Sequence, residues 1–365
     1  MESVVLRNTD SAIQLADAAR DVNETLDGFF IEYARHAEIL HPAYQQLWLR
    51  AHDLSKSGGK RLRPYLTLLT YQTYGGKEYK DILPVAAAQE LLHFAMLIHD
   101  DIIDRDTIRY GTDNVIGQYE HIYAPSILES DERRHFANSA ALLAGDVCLA
   151  GAFELSSRAK ISDVQHMQVR HALWHIIFTV VGGELIDTEA AFRSEEEMVA
   201  DAMTVNRNKT ADYTCVRPLM LGAELAHASG SEVNILKQLG LHLGIAFQLV
   251  DDNIGIYGDS DITGKPVGAD IREGKRTFLF ERSLELANEA QRIRLRELHG
   301  KKDLSHQENV EFCEIVQQTG AFDIAREQIA EHREIADKLV ETLSIADEYK
   351  TGYHEIILLM IEREV

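Results

Sequence analysis

The sequence predicts an all-α protein, a large helical bundle folded as a single domain over residues 1–365 around an apolar cavity. Three observations carry that expectation. Only 6 prolines occur in 365 residues, too few for a loop-rich all-β chain. Apolar residues recur at helical spacing through most of the length, and strand-like alternation is nearly absent. Middle segments such as LLHFAMLIH and LGLHLGIAFQLV are apolar around most of a helix circumference, which demands burial on most sides. With 45% hydrophobic and 26% charged residues, the chain has ample material for a core.

Taken in order, residues 1–10 are expected to be flexible and 11–37 to form an amphipathic helix. A helix over 64–74 stops at Tyr74-Gly75-Gly76, and the next covers 81–104. Helices follow over 133–158, 163–192, 195–227 and 232–257, the last broken at Gly258. Residues 259–274, rich in Gly and Asp, read as a loop of functional size. Helices over 275–298, 306–319, 321–343 and 346–364 complete the series. No long linker or solenoid repeat interrupts it.

Charge narrows the function. With 37 basic and 59 acidic residues the net charge is −22. The mean field repels phosphate, which disfavours nucleic acid and anionic membranes as general partners. A phosphate ligand therefore needs a local basic patch or bound cations. Cys148, Cys215 and Cys313 are odd in number and far apart, with neither zinc spacing nor a disulfide framework, so a cytoplasmic, reducing setting is expected. The start, MESVVLRNTDSAIQ, lacks a basic segment followed by an apolar run, so no signal peptide is expected. No apolar run approaches about 18 residues, so no membrane span is expected.

Two acidic clusters stand out. Asp100-Asp101-Ile102-Ile103-Asp104 ends an oily segment. Asp100 and Asp104 lie one helical turn apart on one face, where like charges repel and the helix dipole disfavours anions. Divalent cations between them would remove both penalties, and clustered carboxylates suit Mg²⁺. Asp251-Asp252 ends a second oily segment, with Asp259 further on and Gly255 one turn after Asp251. A solvated acidic helix end is the alternative for each cluster. The basic stretch Ser57-Gly58-Gly59-Lys60-Arg61-Leu62-Arg63-Pro64 combines glycines that admit close approach with cations that bind phosphate oxygens; a flexible basic loop is the alternative. Arg109, Lys209-Thr210, Lys265 and Lys275-Arg276 are further candidates, each otherwise a surface cation. His93 lies near the face of the first cluster; a core histidine is the alternative.

This ordered set resembles the trans-isoprenyl diphosphate synthases of the polyprenyl synthetase family. The segments that carry the likeness are GGKRLRP (58–64), LLHFAMLIHDDIID (91–104), Arg109 with Gly111, LLAGD (142–146), GGELID (182–187), KTA (209–211), FQLVDD (247–252), GD (258–259), TGKP (263–266) and DIREGKRT (270–277). Three positions depart from the usual pattern. Tyr110 stands where a second arginine is common, Gly255 where a third aspartate is usual, and Glu184 where glutamine is usual.

The resemblance implies Mg²⁺-dependent head-to-tail condensation of isopentenyl diphosphate with an allylic diphosphate, performed by a homodimer. It implies several Mg²⁺ ions on Asp100, Asp104 and Asp251, with Asp101, Asp252 and Asp259 as further ligands or holders of bound water. Arg109, Lys209, Lys265 and Lys275, with Thr210 and Gln248, then face the allylic diphosphate. Gly59, Lys60, Arg63 and His93 hold isopentenyl diphosphate. A class I terpene cyclase shares the ionisation step but leaves GGKRLRP unexplained, and a non-catalytic helical subunit is opposed by the retained aspartates. A chain growing back along the aspartate-bearing helix would meet Ala95 and Met96 as its floor, then Leu91 and Leu92, with facing residues around 147–151. Phe94 should pack sideways. Small Ala95 and pliable Met96 lead to geranylgeranyl diphosphate or a slightly longer product. The alternative is that both simply pack against a neighbouring helix.

Overall fold

The computed structural model describes residues 13–190, 202–257 and 268–362. It bears out the all-α class: among the described residues the strands are one hairpin of two residues a side. The chain divides into two compact units, one of residues 13–173 and one that begins at Trp174. The predicted flexible start, residues 1–10, lies outside the described residues.

In the first unit, α1 (Leu15–Leu40), α2 (Pro42–Lys56), α3 (Leu62–Thr73), α4 (Tyr79–Asp104), α5 (Val115–Tyr123) and α6 (Ser130–Ser156) follow one another. α4 packs against α1, α3 and α6, which is why its sequence is apolar on nearly every side. Two helices were absent from the sequence reading. α2 starts with Pro42 just after His41, whose ring nitrogen accepts from the Ala43 amide, a start signal with proline where its missing N–H costs nothing. α5 is only nine residues long and is capped by Asn114, whose side chain accepts from Gly117 N.

The helix α7 (Asp163–Ala190) leads into the second unit. There a short helix, α8 (Ala202–Val205), continues as π-helix over Asn206–Val216 and then as α9 (Arg217–Leu225). The predicted unbroken helix over 195–227 thus changes winding where Lys209 and Thr210 sit. α10 (Gly230–Tyr257) packs on the π segment, on α9 and on the later helix Ala321–Thr342, so it is the central helix of this unit as α4 is of the other. Gly240 and Gly244 permit the approach: a Cβ on Gly244 would lie 2.5 Å from Ala211 Cα. The predicted helix over 275–298 is two helices, Phe278–Leu286 and Glu289–Leu298. Ala287 is extended, and Asn288 with Gln291 forms a capping box that starts the second.

Among the described residues, three helices are long and apolar enough to cross a membrane by length and composition: Tyr79–Asp104, Ser130–Ser156 and Gly230–Tyr257. The expectation of no membrane span rests on unbroken runs, and isolated charged residues interrupt a run without removing its average apolar character. Of their most apolar windows, 67%, 44% and 50% respectively is buried inside the protein, as core helices require, so composition alone establishes no span.

Candidate active site

The first aspartate cluster, the basic loop and His93 come together within residues 13–173. α4 delivers Asp100, Asp101 and Asp104 in its last turn and stops at Arg105, whose backbone is left-handed with φ 63°. The chain then makes a hairpin, Ile108–Arg109 against Thr112–Asp113. Tyr110 and Gly111 have φ of 54° and 74°, the two left-handed residues that a tight type I′ turn requires. That turn returns Arg109 to the cluster. Its Nη2 donates to Asp100 Oδ2 at 3.0 Å and its Nε to Asp101 Oδ1 at 2.7 Å. Asp101 is buried, and among the described residues its Oδ2 accepts no hydrogen bond. Burial lifts its pKa to about 6 against the pull of the Arg109 charge.

The basic loop owes its shape to Gly59 and Arg61. Gly59 has φ 101°, and Arg61 is left-handed at φ 55°. Arg61 is buried and donates to Ser55 O, Gly58 O, Asn23 Oδ1 and Glu90 Oε1 at 2.6–3.0 Å. Its guanidinium also lies over the Phe94 ring, 5.2 Å from the centroid. Arg61 is therefore a strut; exposed Lys60 and half-buried Arg63 also stand beside the N-terminus of α3. A helix N-terminus flanked by two cations is a ready anion site. His93 sits on α4 three residues after Glu90. Burial first, then the charges of Arg63, Arg109 and Arg61, hold its pKa well below the ordinary imidazole value. A neutral imidazole keeps one N–H for an anion. Tyr110, in place of a second arginine, lays its ring on Gly58, where a Cβ would be 3.0 Å from the ring.

The Arg61–Glu90 pair yields a stability prediction. Glu90→Ala leaves a buried guanidinium uncompensated and is expected to destabilise by about 3–5 kcal/mol. The double replacement Arg61→Met with Glu90→Met should recover most of that loss. Urea midpoints of the three proteins check it.

The second cluster belongs to the other unit. Asp251 is exposed and Asp252 buried at the end of α10. Thr210 Oγ1 donates to Gln248 Oε1 at 2.7 Å, and Gln248 Nε2 donates to Asp252 Oδ1 at 2.8 Å. The predicted residues Thr210 and Gln248 thus orient Asp252. Its Oδ2 accepts no hydrogen bond among the described residues. Burial above all, with the nearby Asp270 and Asp251 charges, pushes its pKa to about 7. A Cβ on Gly255 would lie 2.0 Å from Asp270 Oδ2, so a carboxylate from elsewhere in the chain fills the space beside the departure at 255.

Lys209 is placed by a close approach. A Cβ on Gly183 would come within 2.6 Å of Lys209 N, and the lysine Nζ then reaches Glu184 Oε2 at 2.9 Å and Asp187 Oδ2 at 2.6 Å. Lys275 pairs with Glu273 at 2.8 Å. Asp259 and Lys265 lie outside the described residues. Among the described residues no three His, Cys, Asp or Glu side chains converge as a closed metal cage. Open carboxylate sets with a buried oxygen lacking a partner fit Mg²⁺, which takes few protein ligands and completes its shell with water and phosphate.

On α4, Leu91 and His99 both meet α6: a Cβ on Gly151 would be 3.3 Å from Leu91 Cδ2, and one on Gly145 would be 2.1 Å from His99 Nε2. Buried Ala95, one turn from each, shares that face. Leu92 is buried and Met96 half-buried about 100° round from Leu91 and Ala95 respectively. Arg61 as a strut, Glu90, Asp187 and Asp270 escaped the sequence reading. Only Asp187, at three residues from Glu184, carried a local signal.

Aspartates ending the two central helices, with a separate glycine-rich cationic loop, are the equipment of metal-assisted diphosphate chemistry. Residues 45–317 match the polyprenyl synthetase family, and the chain belongs to it. A short chain isoprenyl diphosphate synthase of Methanocaldococcus jannaschii is 34% identical over 271 residues, covering 74% of this chain and 76% of its own. A geranylfarnesyl diphosphate synthase of Aeropyrum pernix is 32% identical over 317 residues, 85% and 92% of the two chains. The crystal structure of the geranylgeranyl pyrophosphate synthase from Corynebacterium glutamicum, complexed with isoprenyl diphosphate and magnesium, superposes with TM-score 0.90 at 30% identity, covering 96% of this chain and all of that one. The chain is a prenyltransferase that elongates prenyl chains.

Proposed function

We propose that the protein condenses isopentenyl diphosphate head-to-tail with allylic diphosphates and that its principal product is geranylgeranyl diphosphate. One observation carries the two-substrate reading: within residues 13–173 a cationic helix N-terminus (Lys60, Arg63) and a carboxylate cluster (Asp100, Asp101) flank His93. The first is built for an anion and the second for a cation, so each suits a different diphosphate. The magnesium and isoprenyl diphosphate of the Corynebacterium glutamicum enzyme support it.

Asp100 and Asp104 at the end of α4, and Asp251 on α10, would hold Mg²⁺, several ions in all, and when bound the metal would make the allylic diphosphate a better leaving group. Asp101, Asp252 and Asp259 steady that set, with Asp270 taking the role a third aspartate at 255 would have. Arg109, Lys209, Lys265 and Lys275 add fixed positive charge where the leaving diphosphate gains negative charge. Gly59, Lys60, Arg63 and His93 hold isopentenyl diphosphate for attack on the allylic cation, and the released diphosphate takes the final proton. A homodimer is supported by α7. Val164, Met167, His171, Trp174, Phe178, Val181 and Leu185 are exposed on it at alternating spacings of three and four, the seam that pairs helices.

The small side chain of Ala95 and the likeness to a geranylgeranyl pyrophosphate synthase support a C20 product, although Ala95 is buried on the face of α4 that meets α6. Ala95→Phe, primed with farnesyl diphosphate, is expected to shorten the product. An unchanged chain-length distribution with activity intact would remove Ala95 from the floor.

A further inference from the structure

The ion pairs of Lys209 point to a control of substrate affinity. Its ammonium lies 2.9 Å from Glu184 Oε2 and 2.6 Å from Asp187 Oδ2, all three side chains being about four-fifths buried (22%, 18% and 18% exposed). Gly183 fixes this geometry, since any side chain there would strike the Lys209 backbone. Two carboxylates stand against the ammonium assigned to the allylic diphosphate. A glutamine at 184 would keep a polar contact there and remove one negative charge.

We propose that Glu184 sets how much divalent cation the allylic diphosphate requires, by competing with it for Lys209; this rests on the assignment of Lys209 to that diphosphate. A diphosphate that claims Lys209 must displace the Glu184 carboxylate or lie beside it. In either case like charges meet at short range in a partly desolvated place, where screening is incomplete. Extra Mg²⁺ would relieve the repulsion by neutralising part of the diphosphate charge. The cost therefore falls on binding at low Mg²⁺ and fades as the ion saturates. Asp187 acts the same way, but its closer contact is also what holds the lysine in position. Residue 184 is thus the one that tunes affinity without releasing Lys209.

The test is calorimetric binding of inorganic pyrophosphate to the full-length protein across a Mg²⁺ series, with no turnover involved. Glu184→Gln is expected to bind pyrophosphate about fivefold or more tighter than the unaltered protein at low Mg²⁺, the size of one partly screened charge contact, and to converge with it at saturating Mg²⁺. Glu184→Ala should shift binding in the same direction and replaces Glu184→Gln if that variant does not fold. Lys209→Ala separates the two layers of the account. If it leaves pyrophosphate binding unchanged, the assignment of Lys209 fails and this proposal with it. If it weakens binding while both Glu184 variants bind no tighter at any Mg²⁺ concentration, the competition alone is overturned.

Discussion

Asp100→Ala and Asp104→Ala are each expected to lower kcat by about a thousandfold or more while the protein stays folded. Removing a cation's anchor removes several kcal/mol of stabilisation from the departing diphosphate, and each 1.36 kcal/mol is about tenfold in rate. Stability should move the other way or not at all. Asp104 is the last residue of α4, where the helix dipole disfavours a carboxylate, so alanine there is neutral or mildly stabilising. Asp100 shares Arg109 with Asp101, so its loss leaves the guanidinium paired. Steady-state rates in saturating Mg²⁺ beside thermal melts separate the two effects. Wild-type rates in either variant would take the metal away from α4.

Lys60→Ala and Arg63→Ala should raise KM for isopentenyl diphosphate by about ten- to a hundredfold, the size of a lost hydrogen bond to a charged group. KM for the allylic substrate should barely change. The reason is local. Arg61 is committed to Glu90 and to the carbonyls of Ser55 and Gly58, whereas Lys60 and Arg63 flank the start of α3. Because Lys60 is exposed, its removal costs little stability. Initial rates with each substrate varied in turn provide the comparison; equal rises for both substrates would mean that the loop serves no separate diphosphate.

Much of this site was legible because its parts are short segments with their own chemistry. A carboxylate pair one turn apart on an oily helix, a Gly-Gly-Lys stretch, and Lys209-Thr210 each declare a charge requirement without any partner. Arg61 did not: its burial depends on Glu90, 29 residues away on another helix. Gly255 read as a missing ligand because the carboxylate beside it, Asp270, comes from further along the chain. The helix α2 was legible in principle, with Leu47, Trp48, Ala51 and Leu54 buried at helical spacing behind Pro42. The π-helical winding at Asn206–Val216 leaves no sequence signature, since it depends on packing against α10.

The most direct measurement is product analysis of a single incubation: the protein, Mg²⁺, labelled isopentenyl diphosphate and an allylic primer, with the products resolved by chain length. The account predicts label in a C20 prenyl diphosphate, abolished by chelation and absent when the primer is omitted. A folded protein that leaves isopentenyl diphosphate unincorporated, or that turns the primer alone into a hydrocarbon, would contradict it.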